Sequence, residues 1–332
     1  MDRFRAFRID EQDGKIVAGF QDLSIDDLTD GNVVVRVTHS TINYKDALAA
    51  TGAGRILRKY PLNGGIDLAG EVVSSEDSEF QPGAQVLVNG CGLSETVDGG
   101  YSQYARVDSS SLVPIAEGLT PATAMQIGTA GYTAALAIHR MEQNGQRPEN
   151  GPVIVTGATG GVGSLAIDML AGRGYEVAAL TGKADEESYL RDIGARQIVL
   201  RDDLKLPPRP LDRTQWAGGI DNLGGDYLAW LLSTTDYGGN VASIGLAASH
   251  KLETTVMPFI LRAVCLLGIN SVETPRDLRL AVWNRIAGDL MPSHLDRIGH
   301  TTISFDELPD AFQAYLDGAV TGRVVVEIGD SN

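Results

Sequence analysis

One stretch of the chain has the residue types and spacing to hold an anion through its main chain. In Val153-Ile154-Val155-Thr156-Gly157-Ala158-Thr159-Gly160-Gly161-Val162-Gly163, an apolar run ends in a glycine-rich turn that opens a helix. The spacing fits G-x-G-x-x-G, with Ala158 in the first place, Gly160 in the second and Gly163 in the third. Gly160 lets the backbone approach a pyrophosphate, and Gly163 lets the helix pack closely on the strand. The N–H groups of Thr159, Gly160, Gly161 and Val162 then point at the anion, aided by the helix dipole. That is dinucleotide chemistry, and the end of the next strand selects the dinucleotide. Where an NAD enzyme places an acid for the ribose 2′-OH, this chain reads Leu180-Thr181-Gly182-Lys183, with no carboxylate before Asp185. A hydroxyl, a glycine and a cation suit a 2′-phosphate, and Arg201, after the third strand, supplies a second cation. The expected cofactor is NADPH.

These residues need a scaffold of alternating strands and helices, and the sequence supplies one after about residue 125. Strands are expected at Pro152–Thr156, Glu176–Leu180, Ala195–Leu200, Gly219–Asn222, Gly239–Ile244 and Val264–Ile269. Helices are expected at Val162–Arg173, Ala184–Ile193 and Tyr227–Thr234. Alternation at this spacing predicts a parallel sheet wrapped by helices, and runs such as Val153-Ile154-Val155 are apolar enough to be buried on both faces. Before residue 125, short β runs at Asn32–Ser40, Glu71–Ser74, Gln85–Val88 and Tyr104–Val107 are separated by Gly64-Gly65 and Pro82-Gly83, which predicts a small, irregular β domain. In the tail, Phe305–Ala314 reads as a helix capped by Ser304 with Glu307 three residues on, and Val324–Ile328 as a strand that pairs back with the first domain. The boundaries expected are 1–126 with 270–332 for the β-rich domain and 127–269 for the nucleotide domain.

The 332 residues suffice for two domains, and a net charge of −16 argues against nucleic acid as a partner. No apolar run is long enough for a membrane helix and no signal-peptide core is evident, so the expected compartment is the cytoplasm. Cys91 and Cys265 form neither a disulfide framework nor a zinc motif. His39 has no second His or Cys at ligand spacing, and a catalytic zinc needs three protein ligands. No metal is expected.

The segment Ala158-Thr159-Gly160-Gly161-Val162-Gly163 resembles the fingerprint of the medium-chain dehydrogenase/reductases, in the quinone-oxidoreductase-like branch. Four further segments resemble one group within it, the acrylyl-CoA reductases. They are Asn43-Tyr44-Lys45-Asp46-Ala47-Leu48, Gly65-Ile66-Asp67-Leu68-Ala69-Gly70-Glu71, Ile127-Gly128-Thr129-Ala130-Gly131-Tyr132-Thr133-Ala134 and Thr255-Val256-Met257-Pro258-Phe259-Ile260-Leu261-Arg262. The match runs nearly end to end. Two departures are the missing proline in Asn63-Gly64-Gly65-Ile66 and Cys91 where a Trp is common. The resemblance implies an α/β protein with a GroES-like β-rich catalytic domain and a Rossmann doubly wound parallel-sheet domain. It also implies a cytoplasmic homodimer, and reduction of acryloyl-CoA to propanoyl-CoA with NADPH. By motif match it makes Leu246, Ile260, Ser271 and Gly318 cofactor contacts.

An α,β-unsaturated thioester has an electrophilic β-carbon. Hydride adds there, charge builds on the thioester oxygen, and a proton must reach the α-carbon. Tyr44 is the side chain expected to touch the nicotinamide end and to donate or relay that proton, with Asn43 orienting the same region. Arg55, Arg58 and Lys59 form a basic trio in an acidic chain, a candidate clamp for the phosphates of an acyl-CoA partner. Two other functions remain open: a reductase of quinones or simple enones, which needs no phosphate clamp, and a cofactor-binding protein without catalysis.

Overall fold

The computed structural model describes residues 3–329. In chain order the elements begin with β1 (Phe4–Gln12), β2 (Lys15–Leu23), β3 (Val33–Thr41), α1 (Tyr44–Thr51) and β4 (Leu62–Asn63). Next come β5 (Asp67–Ser75), β6 (Gln85–Asn89), β7 (Tyr104–Val107), β8 (Val113–Pro114) and α2 (Pro121–Gln143). The alternating part holds β9 (Val153–Thr156), α3 (Gly161–Gly172), β10 (Val177–Thr181), α4 (Glu187–Asp192), β11 (Gln197–Leu200), β12 (Trp216–Asp221), α5 (Gly225–Thr234) and β13 (Thr235–Ser243). The chain continues through α6 (Met257–Arg262), β14 (Cys265–Gly268), α7 (Arg276–Ile286), α8 (Leu295–Ile298), β15 (Thr301–Ser304), α9 (Leu308–Leu316) and β16 (Val324–Glu327).

Two compact units emerge. One takes Met1–Thr129, Val272–Ala287 and Gly299–Asn332; the other takes Ala130–Ser271 and Gly288–Ile298. The first holds a three-stranded sheet in the order β2-β1-β4 and a larger sheet in the order β15-β16-β3-β5-β6-β8, with β7 also paired to β3. The terminal strand β16 pairs antiparallel with β3, Val326 opposite Ser40. Ahead of α9, Glu307 accepts the Ser304 backbone N–H at 2.8 Å and its hydroxyl at 2.7 Å, so both residues expected at that helix start take part in its cap. The core of this unit gathers Phe7, Val35, Ile42, Leu57, Leu68, Val88 and Phe312, and Phe7 meets Phe20 edge to face at 5.4 Å.

The second unit is a six-stranded sheet in the order β11-β10-β9-β12-β13-β14, parallel throughout. This is the doubly wound order, which reverses direction beside the first strand, here between β9 and β12. All residues of β9, β10 and β12 are buried, as their apolar runs require. Trp216 and Trp230 pack at 6.3 Å in the core beside Ile154, Leu180 and Val241.

The sequence reading did not anticipate the β1–β2 hairpin or the long helix α2. Gly128 inside α2 has φ +50° and ψ −158°, so the helix is two pieces joined at a kink.

Candidate active site

In the second unit the glycine-rich turn is shaped by backbone crowding. A Cβ at Gly163 would lie 2.4 Å from the Gly157 carbonyl oxygen and 2.8 Å from Ala158 Cα, so α3 seats on the turn only without a side chain there. The left-handed residue of the turn is Gly157, at φ +61°, one position before Ala158. Gly160 caps α3, and its carbonyl accepts the Ser164 N–H at 2.8 Å. The first-turn N–H groups that follow have no acceptor within the helix, which is what a bound anion uses.

A knot of polar groups, which sequence reasoning missed, ties this turn to β12 at the reversal point of the sheet. The Thr156 hydroxyl donates to Asp221 Oδ1 at 2.7 Å and accepts from the Asn222 N–H at 2.9 Å. The Asn222 amide donates to the Thr156 carbonyl at 2.7 Å, and the Gly224 N–H donates to Asp221 Oδ2 at 2.8 Å. Burial raises the Asp221 carboxyl above its ordinary range against these donors. Asp and Asn after a short apolar run gave no pattern that marked them in advance.

At the end of β10, Thr181 is buried and its hydroxyl accepts the Lys183 N–H at 3.0 Å. Arg201 follows β11 and lays its guanidinium against Gly182, where a Cβ would lie 2.9 Å from Cζ. Thr181, Gly182, Lys183 and Arg201 therefore lie at the carboxyl ends of the adjacent strands β10 and β11, and Thr159, Gly160, Gly161 and Val162 follow the carboxyl end of β9 in the same sheet. This end of a doubly wound sheet is where ligands bind. Leu246 and Ser271 follow β13 and β14, with Leu246 Cα 3.4 Å from a Cβ built at Gly224. Ile260 is 70% exposed on α6. Gly318 lies in the first unit after α9, at φ +65°.

In the first unit Tyr44 is the first residue of α1 and 45% exposed, and Asn43 is the N-cap. The Asn43 side chain is fully engaged. Its Nδ2 donates to Asp67 Oδ2 at 2.7 Å and to Asp46 Oδ2 at 3.2 Å, and its Oδ1 accepts from Arg323 Nη1 at 3.1 Å. Asp46 Oδ1 accepts the Ile66 N–H at 2.9 Å, and Asp67 Oδ1 accepts the Thr129 N–H and hydroxyl at 2.9 and 2.7 Å. Arg323, 2% exposed, also donates to the Thr41 hydroxyl at 2.7 Å and to the Ile42 and Gln126 carbonyls. The kink at Gly128 makes room for this network, since a Cβ there would lie 2.8 Å from Arg323 Nη2 and 3.1 Å from Asp67 Oδ2. Three of the sequence segments singled out above thus converge beneath the start of α1, held by an arginine from the far end of the chain.

Burial dominates the carboxyls of this network. It pushes Asp46 up to about 7 and raises Asp67, which Arg323 pulls partly back. A folded value above the unfolded one means that the native state holds the proton through that window, so Asp46 contributes most stability at low pH and loses it as pH rises from about 4 to about 7. The stability of the native protein relative to Asp46→Asn is therefore expected to fall across this range, by up to about 1.4 kcal/mol per pH unit, and to level off above it. Denaturant midpoints of both proteins from pH 4 to 8 check this; a pH-independent difference contradicts it.

Of the basic trio, Arg55 and Arg58 line a cavity of about 440 Å³ together with Lys45, Glu95, Ile56 and Leu57, and Lys59 is outside its lining. Among the described residues no group of three or more His, Cys, Asp or Glu is placed to hold a metal ion.

A β-rich unit of the GroES-like kind followed by a doubly wound nucleotide unit is the architecture of the medium-chain dehydrogenase/reductases. Residues 29–117 match the alcohol dehydrogenase GroES-like domain and residues 161–287 the zinc-binding dehydrogenase domain. The chain is 47% identical to acrylyl-CoA reductase AcuI of Ruegeria pomeroyi, over 96% of this chain and 97% of that protein. It is 44% identical to the putative quinone oxidoreductase YhfP of Bacillus subtilis, over 98% and 99% of the two chains; the crystal structure of that organism's yhfP with NAD bound superposes with a TM-score of 0.96 at 44% identity, covering 99% and 100%. The yhdH oxidoreductase of Salmonella enterica, solved in complex with NADP, gives a TM-score of 0.95 at 44% identity, covering 98% and 100%. The chain belongs to the medium-chain dehydrogenase/reductase superfamily, in its quinone-oxidoreductase-like branch, and within that to the acrylyl-CoA reductase family.

Proposed function

We propose that the protein reduces the carbon–carbon double bond of acryloyl-CoA to propanoyl-CoA with NADPH. The observation that carries this reading is the meeting of Arg201 with Gly182 beside Lys183, at the strand end where an NAD enzyme keeps an acid. NADPH bound there supplies the hydride for the β-carbon. The turn Thr159–Val162 holds its pyrophosphate, Thr181, Gly182, Lys183 and Arg201 its 2′-phosphate, and Leu246, Ile260, Ser271 and Gly318 complete the contacts. Tyr44 shapes the nicotinamide end and gives or relays the proton to the α-carbon, and Asn43 orients that region through the network below it. Arg55, Arg58 and Lys59 are the candidate partners of the CoA phosphates.

The purified protein is expected to oxidise NADPH rapidly with acryloyl-CoA and slowly with 1,4-naphthoquinone, followed by absorbance. Equal rates favour the second reading, a quinone or enone reductase, which the relative named as a quinone oxidoreductase supports. Lys183→Ala is expected to weaken NADPH binding by about 1.5–3 kcal/mol, the worth of a charge-assisted hydrogen bond, and to leave NADH nearly unchanged. Titration of both cofactors decides this, and equal losses overturn the 2′-phosphate role.

No helix of the described residues is long and apolar enough to cross a membrane, which accords with a cytoplasmic enzyme. A homodimer is supported by Val256, Leu261 and Leu266, exposed at the N-cap of α6, on α6 and on the edge strand β14. Light scattering on the eluted protein tests it, and a monomer at micromolar concentration removes it.

A further inference from the structure

The cavity beside α1 is lined by charged and apolar residues. Lys45, Arg55 and Arg58 bring three cations to it and Glu95 one anion, while Ile56 and the buried Leu57 complete the lining. Glu95 is the more enclosed member of its ion pair: its side chain is 12% exposed against 33% for Lys45, and Lys45 Nζ donates to Glu95 Oε1 at 2.6 Å. The backbone of Glu95 is fixed on both sides. Its carbonyl accepts the Arg58 N–H at 2.8 Å, and its N–H donates to the Gly92 carbonyl at 3.0 Å. Only the side chain is left to rotate.

A positive cavity in a chain of net charge −16 is a local reversal of field. Its internal carboxylate already neutralises one cation. A singly charged anion gains little by competing with a carboxylate tethered in place. A phosphate monoester or a diphosphate, with more charge and more acceptor oxygens, gains more.

We propose that Lys45, Arg55 and Arg58 form a phosphate site in this cavity and that Glu95 is its resident counter-ion, which gives up Lys45 to an entering phosphate and thereby sets selectivity for multiply charged anions. This rests on the acyl-CoA reading and deepens it, by adding Lys45 and Glu95 to the clamp and leaving Lys59 out. Free inorganic diphosphate shares the chemistry that the CoA phosphates offer. A purely structural Lys45–Glu95 pair predicts that loss of either partner acts in the same direction, whereas a counter-ion predicts opposite signs.

The test is calorimetric titration of the full chain with coenzyme A and, separately, with inorganic diphosphate at constant ionic strength, for the native protein, Glu95→Gln, Lys45→Met and Arg55→Ala/Arg58→Ala. Binding of both probes is expected to tighten about tenfold in Glu95→Gln and to weaken about tenfold in Lys45→Met, the effect of one charge-assisted contact. The double arginine variant is expected to weaken both further. Unchanged affinities, or shifts of the same sign in Glu95→Gln and Lys45→Met, overturn the proposal. A response to diphosphate alone overturns the assignment to the substrate, and a response to coenzyme A alone overturns the phosphate contact. Turnover of acryloyl-CoA and of acryloyl-N-acetylcysteamine is measured beside these. If neither is reduced, the reductase reading fails while the diphosphate titration still judges the site. If both are reduced and the titrations stay flat, only the phosphate site fails.

Discussion

Arg323→Met is expected to cost the first unit about 3–5 kcal/mol of stability, the effect of removing one partner from a buried ionic cluster. Arg323 is hydrogen-bonded into the network that buries Asp46 and Asp67, and it donates to Thr41, Ile42, Asn43 and Gln126 together. Methionine fills much of the volume but leaves four acceptors unpaired and two buried carboxyls without a counter-charge. Lysine restores the charge but cannot reach four acceptors with one ammonium, so Arg323→Lys is expected to fall between the two. Acid should relieve the methionine variant. Loss of Arg323 lifts Asp67 further above its ordinary range, and protonation then removes the uncompensated charge. The stability gap to the native protein is therefore expected to narrow from pH 8 to pH 5. Urea unfolding at both pH values reads the result, and a gap below about 1 kcal/mol at pH 8 would show that the arginine does not balance the cluster.

Gly163→Val is expected to abolish cofactor binding at working concentrations while leaving the first unit folded. The added Cβ meets the Gly157 carbonyl at 2.4 Å and Ala158 Cα at 2.8 Å, and these are backbone atoms that cannot swing aside. Helix α3 must move off the turn. Overpacking of this kind costs about 1–3 kcal/mol, and it falls on the peptide groups proposed to hold the pyrophosphate. An NADPH affinity lower by about a hundredfold matches the upper end of that range. Fluorescence titration with NADPH measures it. Gly160→Ala is the useful contrast: a Cβ there approaches only the Gly157 carbonyl oxygen, at 3.4 Å, so the fold should tolerate it and any loss of affinity reports crowding of the ligand. Near-native binding by Gly163→Val would mean that the turn is not the phosphate cradle.

The second unit was the more legible part of the sequence, because strands buried on both faces are written as continuous apolar runs. Val153–Thr156 and Val177–Thr181 needed only that pattern and the glycines between them. The β1–β2 hairpin was harder. Val17 on β2 is nearly half exposed and charged residues punctuate β1, so its alternation reads as a solvent-facing surface as readily as a strand. Helix α2 hides because Gly128 interrupts it at a position that needs a positive φ. The candidate site divides in the same way. Lys183 and Gly182 were readable from their position after β10, since local spacing fixes them. The Asp46–Asp67–Arg323 cluster was not, because contacts between residues up to 282 positions apart leave no local periodicity. Asp46, Asp67 and Thr129 stood inside segments already marked by resemblance, yet nothing in those segments named Arg323 as their partner.

The pairing of β16 with β3 has a bearing on how the protein is made. On the ribosome the second unit leaves nearly as one continuous stretch and can fold as soon as it emerges. The first cannot close its larger sheet until β15 and β16 arrive, and Asp46 and Asp67 wait for Arg323 until then. For most of synthesis the nascent β-rich unit thus exposes an unpaired edge at β3 and two carboxylates without their arginine. Chaperone dependence in newly made chains should accordingly trace to this unit, and a circular permutant that places β15–β16 ahead of β1 should relieve it.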